Sequence, residues 1–244
     1  MKVVLATATW YPQEGARSRC AVRMATEAIR HGYDLTVVDG GSTPGFLRQL
    51  EQTGAGIYSQ MTPGMGQGRK ETLTHAAERG DTDTVYIWLE PEKYTIVSLL
   101  ERLIEPIQDG RVDITIPDRG DLASYPEEQR HAELFGNEAF RLLTGHSLDM
   151  WSGVRVMNRE ALQYFLDYEG EYGNLWDQHF VPVIRAIAFG LEVLSVPVDY
   201  VHPPEQTAAE AADPEMILKR LKQLDNLIPA IHMAALDLGM LKPR

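Results

Sequence analysis

The strongest constraint on the fold is an alternation of short apolar runs with segments of helical period over the first half of the chain. Residues 2–8, 34–39, 56–60, 84–89 and 112–116 read as strands. Residues 19–31, 44–53, about 69–79 and 96–107 read as the helices between them. The run Thr84-Val85-Tyr86-Ile87-Trp88-Leu89 is almost continuously apolar, as in a strand covered on both faces. Repeated β-α-β units of this spacing predict an α/β fold, with a mostly parallel sheet and helices on both sides.

The second half is less regular. Helices are expected over 127–144, 159–166 and 178–189, strands over 153–157 and 191–197, and extended chain over 199–204. Asp213-Pro214-Glu215 has the form of a helix start, with Asp as N-cap and Pro at the first position. That last helix should reach about residue 241, with a kink or break at Pro229. The Ala- and Glu-rich stretch 207–212 reads as a mobile loop. The expected organisation is a main domain over 1–204, with halves 1–118 and 119–204, followed by a loop and helical tail over 205–244.

Composition narrows the function. The chain of 244 residues carries 23 Lys plus Arg against 35 Asp plus Glu, a formal net charge of −12. Such an acidic balance argues against nucleic acid or an anionic membrane as the main partner, because phosphates need a basic footprint. No apolar window is long enough to span a membrane. A single cysteine, Cys20, excludes a disulfide framework and any cysteine-based zinc site. A reducing, cytoplasmic location is expected.

Four polar features fall where an open α/β sheet binds ligands, beyond the carboxyl ends of its strands. Asp39, before Gly40-Gly41-Ser42, either caps a turn or accepts hydrogen bonds from a base or ribose. In Pro63-Gly64-Met65-Gly66-Gln67-Gly68-Arg69-Lys70, alternate glycines beside two cations suit a diphosphate, or form a plain flexible loop. The carboxylates of Glu90-Pro91-Glu92 lie at i and i+2. They point the same way in extended chain, as for a hard divalent cation, or sit on a solvated acidic loop. Asp177, at a helix start, and His202, before Pro203-Pro204, are each ambiguous alone, as a cap and a turn residue.

In this order, the features resemble the nucleotide-sugar glycosyltransferases of the GT-A fold. Val37-Val38-Asp39-Gly40-Gly41-Ser42 is similar to that family's base-binding strand end, and Glu90-Pro91-Glu92 stands where the family has its Asp-x-Asp metal motif. The segment from Asp149 to Glu160 resembles the acceptor side of dolichyl-phosphate-mannose-synthase-like family 2 enzymes. The run from Pro63 to Leu73, the stretch from Ser152 to Glu160, and Trp176-Asp177 through His202 are similar to the mannosylglycerate synthases. Two departures stand out: Glu replaces Asp in the metal motif, and the first strand ends Ala6-Thr7-Ala8-Thr9 without the family's Pro.

The resemblance implies a metal-dependent hexosyltransferase, of mannose or glucose type. Thr7 and Asp39 would hold the nucleoside of a GDP- or UDP-sugar. Gly64, Gly66, Gly68, Arg69 and Lys70, with Mg²⁺ or Mn²⁺, would hold its diphosphate. Glu92 and His202 would ligate the cation, and Glu90 would bind ribose or a sugar hydroxyl. Trp151, Ser152, Gly153 and Trp176 would line the acceptor side, for a small or lipid-linked acceptor. Asp177 would be the general base of an inverting enzyme, or an orienting carboxylate in a retaining one. The apolar positions of the last helix, Ile217, Leu218, Leu221, Leu224, Leu227, Ile228 and Ile231, suit packing on the chain's own core, a homo-oligomer contact or a loose membrane contact. The rival readings are a non-catalytic sugar-nucleotide binder and a sugar nucleotidyltransferase. The second would need a basic, glycine-rich loop after strand one, where this chain has Thr9-Trp10-Tyr11-Pro12.

Overall fold

The computed structural model describes residues 2–211 and 213–241. Seven strands form one mixed sheet: β1 (Val3–Thr9), β2 (Asp34–Asp39), β3 (Gly56–Ser59), β4 (Val85–Leu89), β5 (Ile114–Asp118), β6 (Val154–Met157) and β7 (Val193–Pro197), in the order β3-β2-β1-β4-β6-β5-β7. The neighbours β1–β2, β1–β4, β2–β3 and β5–β7 are parallel, and β6 runs antiparallel to both β4 and β5. The sheet is therefore mostly parallel, as expected, with β6 the reversed strand.

Side-chain alternation divides the core into two layers. On one face Leu5, Ile87 and Leu89 pack with Met24 of α1 (Ala16–Arg30), Phe46 of α2 (Pro44–Glu51) and Leu103 of α4 (Leu100–Gln108). On the other, Val4, Ala6 and Trp88 pack with Leu73 of α3 (Met65–Arg79), Phe140 of α5 (Glu127–Thr144), Phe165 of α6 (Arg159–Leu166) and Ile184 of α7 (Val181–Ala188). β4 is buried at every position, which accounts for its unbroken apolar run.

Several sequence expectations are corrected. The glycine-rich segment is not a loop beyond Gly64: α3 starts at Met65, so Gly66, Gly68, Arg69 and Lys70 lie in its first turns. The glycines serve close approach, since a Cβ on Gly66 would stand 2.8 Å from the Asn174 carbonyl oxygen. Residues 207–210 belong to α8 (Pro204–Glu210), where Ala and Glu are good helix formers after an N-terminal proline; residue 212 lies outside the described residues. α9 (Pro214–Asp237) runs through Pro229 without a break.

The boundaries at 118 and 204 separate no cores. β6 is inserted between β4 and β5, and α9 places Leu227, Ile231 and Ala234 in the same apolar layer as Trp88. Leu227 and Ile231, two of the apolar positions singled out in the sequence, thus pack on the chain's own core, while Ile217, Leu218 and Leu221 stay exposed. No described helix is long and apolar enough to cross a membrane.

Candidate active site

Going outward from the β1–β4 pair, the chain order rises one way through β2 and β3 and the other way through the second half. A crevice opens at the carboxyl ends at such a reversal. A cavity of about 720 Å³ lies there, within the size range of small-molecule sites. The end of β1 supplies Thr9, Trp10 and Tyr11, the start of α1 supplies Arg17, and Gly40 and Gln60 follow β2 and β3. Gly64 and the first turns of α3 bring Gly68 and Arg69. Trp88, Glu90, Pro91 and Glu92 come from the end of β4, and Trp176 and Lys219 close the wall.

The nucleoside side differs in detail from expectation. Asp39 caps the turn after β2. Its Oδ2 accepts from the backbone N–H groups of Gly41 (2.9 Å) and Ser42 (2.8 Å), and its Oδ1 from the hydroxyls of Thr9 (2.7 Å) and Ser42. Four donors fill a carboxylate, so Asp39 has no lone pair left for a base, and it does not line the cavity. Thr7 is buried inside β1 with its hydroxyl unpartnered, one pleat short of the cavity, and Thr9 takes the edge position. Trp10 presents a largely exposed ring there.

The carboxylates after β4 are already compensated by cations. Glu92 Oε1 accepts from the Tyr11 hydroxyl at 2.8 Å and pairs with the Arg17 guanidinium at 2.5 Å. Glu90 Oε2 lies 3.1 Å from the ammonium of Lys93, which also donates to the Ser152 carbonyl. Burial would raise the Glu90 pKa, but Lys93 and Arg69 override it and hold the group at about 2, ionised at any ordinary pH. Gly153, at φ 69°, lets this carboxyl approach: a Cβ there would stand 2.5 Å from Glu90 Cδ. His202 is buried, its Nδ1 2.8 Å from the Thr207 hydroxyl and its ring 4.2 Å from that of Tyr125. Burial, with Lys93, Arg220 and Arg119 around it, pushes its pKa down to about 3, so the ring is neutral.

Among the described residues, no group of three or more His, Cys, Asp or Glu side chains is arranged to hold a metal ion. Lysine and arginine sit on the carboxylates, while the Thr207 contact occupies only Nδ1 of the neutral His202 ring, as an outer partner does when Nε2 is the ligating atom.

On the acceptor side the structure brings only Trp176 to the cavity wall. Trp151 is a core residue, edge-on to Phe180 at 4.7 Å, and Ser152 is buried against Arg155 (3.3 Å). Asp177 does not project from a helix end. It begins a 3-10 turn, is 0 % exposed, and accepts from the Tyr168 hydroxyl (2.7 Å) and the Leu175 N–H (2.9 Å). Those bonds brace the strap that carries Trp176.

Lys70 turns away to the Tyr168 carbonyl and Glu169. Arg69 stays at the cavity and donates to the Leu175 carbonyl at 2.7 Å; burial brings its pKa down to about 10, which leaves it charged.

The sequence reading missed Trp10, Tyr11, Gln60, Arg17 and Lys219. The first three follow strand ends and could have been found by their position. Arg17 and Lys219 are single charges on helix surfaces, with no local signal.

Neither a protein-family model nor a curated protein matches the sequence. Solved structures do. Glucosyl-3-phosphoglycerate synthase from Mycobacterium tuberculosis, in complex with Mn²⁺, UDP-glucose and phosphoglyceric acid, superposes with a TM-score of 0.65 at 15% identity, covering 94% of this chain and 79% of that one. Its complex with Mn²⁺, UDP-glucose and glycerol 3-phosphate gives 0.61 at 16% identity over 96% and 79%. Its complex with Mg²⁺ and UDP gives 0.56 at 15% identity over 91% and 79%. What this chain shares with that enzyme, over nearly its whole length, is the GT-A fold.

Proposed function

We propose that the protein is a hexosyltransferase that moves a glucose- or mannose-type group from a nucleoside-diphosphate sugar to the hydroxyl of a small acceptor. The observation that carries this is the crevice at the β1–β4 reversal, where three cations meet two ionisable carboxylates beside Trp10 and Trp176. The neighbours' UDP-glucose and phosphorylated three-carbon acceptors support the same classes of donor and acceptor here.

In this reading Trp10, Thr9 and Gln60 receive the nucleoside, and Arg17, Arg69 and Lys219 face the diphosphate. Ionised Glu90 accepts hydrogen bonds from sugar hydroxyls, and Trp176 borders the sugar. Transfer breaks the bond from the anomeric carbon to the β-phosphate oxygen and forms one to the acceptor oxygen, whose proton passes to the departing phosphate. The electron pair leaves on the diphosphate, where fixed cations stabilise the developing charge. Asp177 acts as a positioning residue, through the strap that bears Trp176. The neighbours' Mn²⁺ and Mg²⁺ support a divalent cation that arrives with the donor.

The test is transfer from labelled UDP-glucose and GDP-mannose to phosphoglycerate or glycerol 3-phosphate, with Mn²⁺, with Mg²⁺ and in EDTA. Hexosylated acceptor from one donor is the expected product, with the divalent cation raising the rate. Absence of both transfer and nucleotide binding in every condition overturns the proposal. A binder without transfer is the second reading, favoured by carboxylates that are already ion-paired; nucleotide binding with no product would establish it.

A further inference from the structure

Three cations reach the cavity from segments far apart in sequence: Arg17 from the first turn of α1, Arg69 from the second turn of α3, and Lys219 from the second turn of α9. They face two carboxylates, Glu90 and Glu92, so the wall carries a surplus of positive charge. This occurs in a chain of net charge −12, whose overall field repels anions. A local reversal of sign inside a concave site marks a place for an anion.

The three differ in what already satisfies them. Arg69 is spent partly on the Leu175 carbonyl, and Arg17 partly on Glu92, while the buried Arg17 Nε makes no hydrogen bond and lies 3.7 Å from a Glu210 carboxylate oxygen. Lys219 is half-buried. Among the described residues its ammonium makes no hydrogen bond or ion pair, and Glu92 and Glu210 act on it only through the field. Withdrawing an ammonium from water without a partner costs free energy, which a bound anion would return.

Resting on the glycosyltransferase reading, we propose that Lys219 and Arg17 form a diphosphate-binding pair, so that the C-terminal helix supplies a residue of the donor site and part of the charge neutralisation is built into the protein. Lys219 is a compact point charge on a flexible stem, suited to non-bridging phosphate oxygens. Arg17 offers a fork to the same group while keeping Glu92 oriented. Burial and the nearby Arg17 and Arg220 push the Lys219 pKa down to about 8, so its proton is held more weakly until an anion arrives. The pair explains why Glu92 is covered by arginine: that ion pair holds the guanidinium at the mouth of the phosphate site. It also separates two events, because the nucleotide can dock on protein cations before any divalent ion takes part.

The experiment is isothermal titration calorimetry of UDP, GDP and inorganic pyrophosphate, in EDTA and in Mn²⁺, on wild type, Lys219→Met, Lys219→Arg and Arg17→Met. Wild type should bind a nucleoside diphosphate in EDTA. Lys219→Met should weaken that binding about ten- to a hundredfold, the scale of one lost charge-assisted hydrogen bond. Lys219→Arg should recover most of it, and the parent nucleoside should bind all variants alike. Lys219 is half-exposed, so its variants test the idea even where Arg17→Met unfolds; thermal melts check this. Equal affinity of wild type and Lys219→Met overturns the inference. Binding only with Mn²⁺ also overturns it, and leaves the glycosyltransferase reading standing. Binding of neither nucleotide in either condition overturns both.

Discussion

Asp39 shows how one carboxylate can be assigned correctly to a strand end and still be put to a different use. Asp-Gly-Gly-Ser is legible as a turn in the sequence, but the choice between capping that turn and meeting a ligand depends on Thr9, thirty residues earlier, whose hydroxyl takes one lone pair. Asp39→Ala would leave the Thr9 hydroxyl and the Ser42 N–H without their acceptor. We expect a loss of about 2–3 kcal/mol in urea unfolding, since a buried donor left unpaired costs about 1–3 kcal/mol. A variant as stable as wild type would mean that water satisfies these donors and the cap is dispensable. The same distinction applies to Asp177, a cap by its position in the sequence. It is buried by Tyr168 and the strap above it, neither of which its neighbours in sequence foretell.

At the scale of elements, what was legible is what is decided locally. β2, β4 and α5 follow from apolar runs and helical period, because each is buried along its own repeat. The start of α3 was not legible. Three glycines lower helix propensity, and only contact with Asn174 and Gln60 reveals why side chains are excluded there. The ion pairs of the carboxylates after β4 were not legible for a similar reason: i and i+2 spacing aligns Glu90 and Glu92 but is silent about Lys93 and Arg17. The 3-10 turn Asp177–His179 carries a further consequence. His179 is buried, stacked on Trp88 at 4.4 Å, with both ring nitrogens unpartnered. Burial, with Arg69 and Arg155 nearby, holds its pKa well below the usual value. The unfolded chain binds that proton near pH 6.5 and the folded chain does not, so the stability is fully present above about pH 6.5. It drains as pH falls toward the folded pKa, by up to about 1.4 kcal/mol per pH unit. His202 adds the same sign. Melting curves between pH 7 and pH 5 should therefore slope less steeply for His179→Leu than for wild type. Parallel slopes would remove His179 as the acid-sensitive group.

Across the whole molecule, the second half of the chain completes both the sheet and the cavity wall. α9 buries Leu227 and Ile231 in the core and brings Lys219 to the cleft, a tertiary outcome that no window of sequence contains. The place of β6, between β4 and β5, has a cost in time. A ribosome adding ~5–20 residues per second finishes β5 roughly 2–8 seconds before β6 is made. Until then β4 and β5 each have a bare backbone edge facing an empty slot, a template for pairing with another chain. Translation should thus include a vulnerable interval that ends in one step. Chains stalled on ribosomes with β5 outside the tunnel should be cut readily by protease and bound by holding chaperones. Chains stalled with residue 157 outside should resist cleavage within β4 and β5. Resistance that accrues gradually between those two lengths would show that the first five strands protect themselves, and that the slot closes without its missing strand.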